Sequence, residues 1–372
     1  MKFGYLVSVF MLSGMVLSCA KQLNTPDPDL PTGDSDLVKV NFTIANGENT
    51  KVIGITDANE TRLNRYAVFA FDVESGWFAY KVSTSGESVQ LQLRSDRTYH
   101  CYALTNYPAS GSASLNPAGI SRESDLTGKI AYLADNSVSS LMMYGMENVT
   151  VAPMDFDPLT DPSAITPVSK TIHVKRIVSR IDVTQVAVDF TGKPYFDGKT
   201  FVLKGIYMTN LYKSTRFASD ISFAELSNTR SMWYNGGGWH RGDVAESGID
   251  ALVGNTELNV TLTKSAPYTV SNSFYVLPNA TPKVSDEHQM DTWSKRCTRI
   301  IIEAALDGET MYYQVDVPAM ERNIIYRVNN IVINGRGSND PEIIDITPMD
   351  EVISFSIEAS DWDTPINVNE NS

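Results

Sequence analysis

Cysteine is scarce in this sequence. The 372 residues contain three cysteines, and two of them, Cys101 and Cys297, lie far apart. A disulfide framework needs several cysteines at suitable spacings, so we expect apolar cores to stabilise the fold instead. Two buried free thiols are the expected state of Cys101 and Cys297, and a bridge between them is the alternative.

Histidine is scarce as well. His100, His173, His240 and His288 are scattered singly. His100 precedes Cys101, but adjacent residues on a strand point to opposite faces, and the other three have no partner at metal-ligand spacing. We interpret all four as structural or surface residues.

Other metal-binding and phosphate-binding motifs are also missing from the sequence. Asp155, Asp157 and Asp161 resemble a calcium loop only loosely, because the turn glycine and the bidentate glutamate of an EF-hand are absent. No glycine-rich phosphate loop precedes a helix. We therefore predict that the protein is not an enzyme and needs no metal or cofactor.

Positive charge is in deficit. The formal net charge is -14, and a field of that sign repels phosphate backbones. The composition therefore disfavours a nucleic-acid partner. It does not indicate any other class of partner.

The one long apolar run lies at the N-terminus. Residues 3–17 are too few for a comfortable membrane span and are typical of a signal peptide. Val16-Leu17-Ser18-Cys19 is similar to a bacterial lipobox, so we predict a lipoprotein signal over residues 1–18 and acylation of Cys19. An ordinary secretory signal is the alternative. Residues 19–36, rich in Pro and Asp, are typical of a solvated tether.

Most of the remaining sequence consists of short β-type runs. Val38, Val40, Phe42 and Ile44 alternate with polar residues, which predicts a first strand. Similar runs recur along the chain, at 66–71, 77–82, 89–93, 99–104, 170–188, 201–208, 273–277, 299–305, 311–317 and 326–333. A weak helical spacing is confined to residues 124–144. This pattern predicts an all-β protein of Greek-key sandwiches, with domains over 37–175 and 176–350.

Residues 351–372 carry two further alternating stretches. The first comprises Ile353, Phe355, Ile357 and Ala359, and Trp362 follows it. The second comprises Ile366 and Val368. So much apolar surface predicts that this segment either closes a sheet of its own molecule or adds a strand to a neighbour.

A loop of aromatic residues gives an alternative function. Trp233, Tyr234 and Trp239 lie beside three consecutive glycines and could stack on sugar rings, or pack down on the sandwich. A surface glycan-binding lipoprotein is therefore a second hypothesis.

An ordered set of motifs resembles the fimbrillin family, the fimbrial (pilus) subunits of Bacteroidales. The motifs, besides the lipobox, are LMMYG at 141–145, VKRIVSRIDV at 174–183, SFYVLPN at 273–279, ERNIIYRVNNIVINGRGSNDP at 321–341 and ASDWD at 359–363. The resemblance covers essentially the whole chain. It implies two transthyretin-like β-sandwich domains in tandem, export to the outer-membrane surface as a lipoprotein, and a fimbrium that serves adhesion.

The resemblance also implies a mode of assembly by donor-strand exchange. A trypsin-like protease removes the first strand, here within residues 37–51, and the C-terminal strand of another subunit, here from residues 351–372, fills the groove. The family's usual cleavage residue is Arg, whereas Lys51 stands at that place, and Arg62 and Arg65 are the nearest arginines. An uncut subunit that keeps its lipid would be an anchor or accessory subunit instead of a stalk subunit.

Overall fold

The computed structural model describes most of the chain between residues 37 and 362. The described residues are 37–46, 58–84, 88–108, 119–153, 168–220, 233–234, 252, 254–255, 257–280, 297–317, 319–339 and 352–362. The predicted signal peptide, Cys19, the tether, Lys51, the Asp155–Asp161 loop and residues 363–372 lie outside them.

The described part of the first half contains eight strands. They are β1 (Leu37–Asn46), β2 (Tyr66–Asp72), β3 (Phe78–Ser83), β4 (Ser88–Arg94), β5 (Arg97–Thr105), β6 (Ile130–Tyr132), β7 (Met143–Val151) and β8 (Val168–Arg176). The helix α1 (Glu123–Thr127) and the 3-10 turns Ala58–Thr61 and Leu133–Asp135 interrupt them.

The second half continues in the same style. Its strands are β9 (Ser179–Val183), β10 (Gln185–Val188), β11 (Phe201–Thr209), β12 (Leu211–Tyr212), β13 (Ser214–Arg216), β14 (Trp233–Tyr234), β15 (Gly254–Asn255), β16 (Val260–Leu262), β17 (Tyr268–Thr269), β18 (Ser273–Val276), β19 (Thr298–Leu306), β20 (Glu309–Val317), β21 (Ile324–Ile333) and β22 (Ile353–Asp361). A 3-10 turn covers Pro194–Phe196. The all-β prediction is confirmed.

The seven-stranded sheet of the first half folds into two facing layers. Its order is β3-β2-β5-β7-β8-β1-β4. The layer β8-β1-β4 and the layer β3-β2-β5-β7 send alternate side chains into one apolar cluster, which includes Phe42, Val68, Leu91, Tyr99 and Ile172. A sandwich results because each strand has one apolar inner face.

The second half is also built from two sheets. In one, β21 lies between β9 and β10 on one side and β22 on the other, and β17 and β18 pair with β10 and β9. In the other, β11 pairs with β15, β16 and β19, and β19 pairs with β20. The apolar cluster of this half continues into Phe69, Phe71 and Tyr102 on the outer face of the first sandwich. The two halves therefore share apolar packing.

Only part of the segment with weak helical spacing around residue 130 forms a helix. Helix α1 ends at Thr127, and Gly128 follows it as the C-cap. Ile130 then begins β6, which pairs with β13 of the second half. Pairing across the two halves thus overrides the local spacing.

Both thiols of the described chain are free and buried, as predicted. Burial raises the pKa of Cys101 and of Cys297 to about 12. The thiolate is the reactive form of cysteine, so these two side chains act as small apolar core residues.

Candidate functional site

Strand β1 is an internal strand of the first sandwich. Its inner side chains Val38, Val40, Phe42 and Ile44 are at most 7% exposed, whereas Thr43 on the other face is exposed. The predicted alternation is therefore confirmed. Each inner side chain belongs to the core cluster of the sandwich.

The backbone of β1 is bonded on both sides. It runs antiparallel to β4, with Val40 opposite Leu91, and parallel to β8, with Ile44 opposite Ile172. Neighbouring strands lie about 4.8 Å apart, so a sheet without β1 would have a gap about 10 Å wide between β4 and β8. Both edges of that gap would present unpaired N–H and C=O groups, and its floor would be apolar.

The segment before β2 is fixed to the rest of the sandwich by Asn106. Its backbone N–H donates to the Arg65 carbonyl at 2.7 Å, and its Nδ2 donates to the Arg62 carbonyl at 2.7 Å and to that of Leu141 at 2.8 Å. The Asn64 N–H in turn donates to Asn106 Oδ1 at 2.9 Å. A protease needs an extended, accessible backbone, so we expect the hydrogen-bonded peptide groups at Arg62 and Arg65 to be poor substrates in the folded protein.

Strand β22 pairs within its own chain. It lies antiparallel to β21, from Ile324 opposite Asp361 to Ile333 opposite Ile353, and the register shifts between Asn329 and Val332. Ile353 is buried, and Phe355 and Ile357 are half-buried against the core, whereas Ala359 is exposed. The predicted strand is thus present, and it closes a sheet of its own molecule.

Trp362 follows β22 and is 3% exposed. Its backbone N–H donates to the Asn323 carbonyl at 3.0 Å. Its ring stacks on Tyr275 with centroids 6.0 Å apart, and the guanidinium carbon of Arg176 lies 4.5 Å from the ring centroid. Its Nε1 donates to Glu60 Oε2 at 3.3 Å.

Glu60 and Arg180 form a buried ion pair beside this ring. Arg180 is fully buried and donates from Nη1 to Glu60 Oε2 at 3.2 Å and from Nε to Asp182 Oδ1 at 2.7 Å. The Tyr275 hydroxyl donates to Glu60 Oε1. We call Glu60, Arg176, Arg180, Tyr275 and Trp362 the junction cluster.

The electrostatics of the junction cluster follow from its burial. Loss of hydration raises the pKa of Glu60 above its ordinary value, and Arg180, Tyr275, Arg176 and Trp362 oppose that rise. Burial also raises the pKa of Tyr275, and the adjacent Glu60 carboxylate adds to the effect. A buried pair of this kind is strongly destabilised when one partner is removed, because the other charge is left uncompensated.

The junction cluster joins parts of the chain that are distant in sequence. Glu60 lies in the 3-10 turn before β2, Arg176 ends β8, Arg180 lies in β9, Tyr275 in β18, and Trp362 follows β22. Sequence analysis singled out Trp362 but missed the other four. The available signal was the pair of arginines inside the β-type run at 172–183.

The remaining predicted residues are only partly placed. Trp233 and Tyr234 form β14, which pairs with β12, and Trp239 lies outside the described residues. Within the described part of the chain, no group of three acidic, histidine or cysteine residues is arranged to hold a metal ion. Among those same residues, no helix has the length and apolarity needed to cross a membrane.

Solved structures share this fold. A candidate cell adhesion protein from Parabacteroides distasonis matches with a TM-score of 0.61 at 15% identity, over 88% of this chain and 100% of that chain. One from Bacteroides eggerthii has a TM-score of 0.58 at 18% identity, over 90% and 98%. A fimbrilin from Porphyromonas gingivalis has a TM-score of 0.55 at 15% identity, over 88% and 98%.

The resemblance seen in the motifs therefore extends to the fold. No protein-family model matches the chain, and no curated protein matches it significantly.

Proposed function

We propose that this chain, which has the fold of solved fimbrilin and candidate cell adhesion proteins of Bacteroidales, is a structural subunit of a cell-surface fimbrium. It joins other subunits by exchanging a strand, and the fibre serves adhesion. Its partners are further copies of itself and accessory subunits. The role is mechanical and involves no enzymatic chemistry.

The position of β1 carries the proposal. The strand is internal, its inner side chains are buried, and it is followed by residues 47–57, which contain Lys51. One cut after Lys51 would break the covalent connection between β1 and the rest of the sandwich. The empty place would then offer four apolar sites and two open backbone edges to a strand from another subunit.

The energy of such an exchange is substantial. Burying a large apolar side chain contributes roughly 1.5–3 kcal/mol, so three or four refilled sites supply on the order of 5–10 kcal/mol. Backbone hydrogen bonds along the two edges fix the register more than they add free energy.

Processing at Lys51 fits the structure better than processing at Arg62 or Arg65. Asn106 bonds the carbonyls of both arginines, and Glu60, just upstream of them, belongs to the junction cluster. A cut after Lys51 would leave these contacts in place. We propose that the precursor is acylated at Cys19 and reaches the outer membrane by its lipid, and that a trypsin-like protease then releases the subunit.

The test is sequencing of the protein's N-terminus as it stands on the cell surface, together with an assembly assay. The stalk role predicts a start at Val52 and SDS-resistant ladders that disappear when residues 352–372 are deleted. Ladders that persist after that deletion would refute strand exchange.

An acylated Cys19 on the surface protein would instead identify an anchor or accessory subunit. That outcome retains the fimbrial role and rejects the stalk position, because an uncut subunit keeps β1 and has no vacant groove.

A further inference from the structure

We propose that the open side of the first sandwich, formed by the outer edges of β7 and β8, pairs with the same side of a second copy of this chain. In this dimer β7 of each copy lies antiparallel to β8 of the other, and Glu147 forms an ion pair with the partner's Lys170. The dimer forms with β1 in place, so it goes beyond the proposed strand exchange. Within fibres it would join two filaments side by side.

The two layers of the first sandwich separate along β7 and β8. These strands pair with each other only where Met143 lies opposite Arg176 and Tyr144 opposite Lys175. Residues 168–174 of β8 pair instead with β1, in the other layer. Among the described residues, no strand pairs with the outer edge of β7 over 145–151 or with that of β8 over 168–174. Both layers therefore end in an open edge on this side.

Side chains along both open edges are exposed. Met146, Glu147 and Asn148 are exposed on β7, and Ser169 and Thr171 are exposed on β8. Strand β7 is nine residues long. An edge strand of this length presents a row of N–H and C=O groups to which a strand of another chain can bond.

Each open edge carries one charged side chain on the core side of its layer. Glu147 alternates with Val149 of the core cluster, and Lys170 alternates with Ile172 of the same cluster. Glu147 is exposed and Lys170 half-buried, because both lie at the margin of the sandwich. Inward-pointing charges prevent indiscriminate pairing at an edge, since an incoming strand would bury them without a partner.

The opposite signs of these two charges select the partner strand. Pairing of β7 with a second β7 would bring Glu147 and the partner's Glu147 to the same face, where like charges repel. The open edge of β8 offers Lys170 instead, and its residues 168–174 include no carboxylate. Strand β7 in turn includes no basic residue. Pairing of β7 with β8 of another copy therefore neutralises both charges.

A two-fold axis parallel to the strands satisfies both open edges at once. Such an axis exchanges the two layers, so β7 of one copy meets β8 of the other in each layer. It leaves the strand directions unchanged, and β7 and β8 are antiparallel within one chain, so they are antiparallel across the interface too. With Glu147 opposite the partner's Lys170, Asn148 lies opposite the partner's Ser169. Each contact occurs twice, and the dimer closes.

Charge reversal tests the dimer in the uncut protein. A chain without residues 1–19 keeps β1, so no groove is vacant and fibre formation does not interfere. We expect the wild type to be a dimer in sedimentation equilibrium. Glu147→Lys and Lys170→Glu should each raise the dimer Kd by about 100-fold or more, because each variant places two like-charged pairs in the interface. Lys39→Glu, at an exposed site on the outer face of β1, is the control and should dimerise like the wild type.

Mixing the two variants separates a lost ion pair from a damaged fold. In a heterodimer of Glu147→Lys with Lys170→Glu, both contacts join a lysine to a glutamate. The mixture should therefore associate although neither variant does so alone, and the double variant Glu147→Lys, Lys170→Glu should dimerise as well. A wild type that stays monomeric up to about 100 μM would overturn the proposal, and so would a mixture that does not associate. Ladders of the cut protein are scored separately, and their absence would reject only the proposed function.

Single cysteine variants identify the strands that meet. Opposed Cα atoms in an antiparallel ladder are about 4.5–5.5 Å apart, which a disulfide can span. Asn148→Cys mixed with Ser169→Cys should therefore give a covalent dimer on mild oxidation, whereas Asn148→Cys alone should not. A covalent dimer of Asn148→Cys alone would place β7 against β7 and overturn the assignment, as would a mixture that gives no covalent dimer. The native thiols do not interfere, since Cys101 and Cys297 are buried.

Discussion

The indole ring of Trp362 lies over the guanidinium of Arg176, 4.5 Å from the ring centroid to the guanidinium carbon. The two residues are far apart in sequence, at the end of β22 and the end of β8, so this contact joins the last described strand to the last strand of the first sandwich. The ring also covers the Glu60–Arg180 pair.

Removing this ring should destabilise the uncut protein. We expect Trp362→Ala to lower the free energy of unfolding by about 3–5 kcal/mol, because a buried aromatic ring is lost. Trp362→Phe keeps a ring but leaves the Glu60 carboxylate without one donor, at a cost of about 1–3 kcal/mol. Urea denaturation measures both. Equal stability of Trp362→Ala and wild type would show that the contact contributes nothing.

Truncating a buried side chain of β1 should lower the stability of the uncut form only. Phe42 is fully buried and Thr43 is exposed. We expect Phe42→Ala to destabilise the precursor by about 3–5 kcal/mol and Thr43→Ala to change it little. The proposed processing would remove β1, so fibres from the two variants should have the same melting temperature. A melting difference between the fibres would mean that β1 remains in the assembled subunit.

Stability should depend on pH through Glu60. Its pKa is raised in the folded state, mainly by burial, so the folded protein holds this proton to higher pH than the unfolded chain does. The resulting stabilisation is complete below the ordinary value of 4.5 and is lost as pH rises through the raised pKa. Relative to Glu60→Gln, which cannot titrate, the wild type should therefore lose stability as pH increases from 4.5.

Urea denaturation curves of the wild type and of Glu60→Gln, recorded at a series of pH values from 4.5 upward, check this expectation, provided that their m values agree. A stability difference that is constant with pH, or one that moves in favour of the wild type, would contradict it.

Processing should depend on Lys51 and not on Arg62. We expect Lys51→Ala to leave the surface protein uncut and attached to lipid, because the next basic sites are bonded to Asn106. Arg62→Ala is the control and should be processed normally. Mass spectrometry of the surface protein measures the new N-terminus. A cut that is lost in Arg62→Ala would place the processing site there.

The sequence predicted the positions of the strands better than it predicted which strands pair. The alternation in β1 and the uninterrupted apolar run of β2 follow from inner faces that must be buried, and a period of two is visible without a structure. The pairing of β22 with β21 was not predictable, because half-buried Phe355 and Ile357 would suit either an internal sheet or a neighbour. The junction cluster depends on long-range contacts, so Glu60 and Arg180 carry no local signal beyond their charge.

The opposite orientations of the two neighbours of β1 set the direction of any replacement. A strand that reproduces the hydrogen bonds of β1 has to run parallel to β8 and antiparallel to β4. Every subunit in a chain of such exchanges would then face the same way, and this repeating head-to-tail contact builds an open filament when its rotation does not close a ring. One extremity of the filament would carry a vacant groove and the other an unused tail, so lengthening and capping would require different molecules at the two extremities.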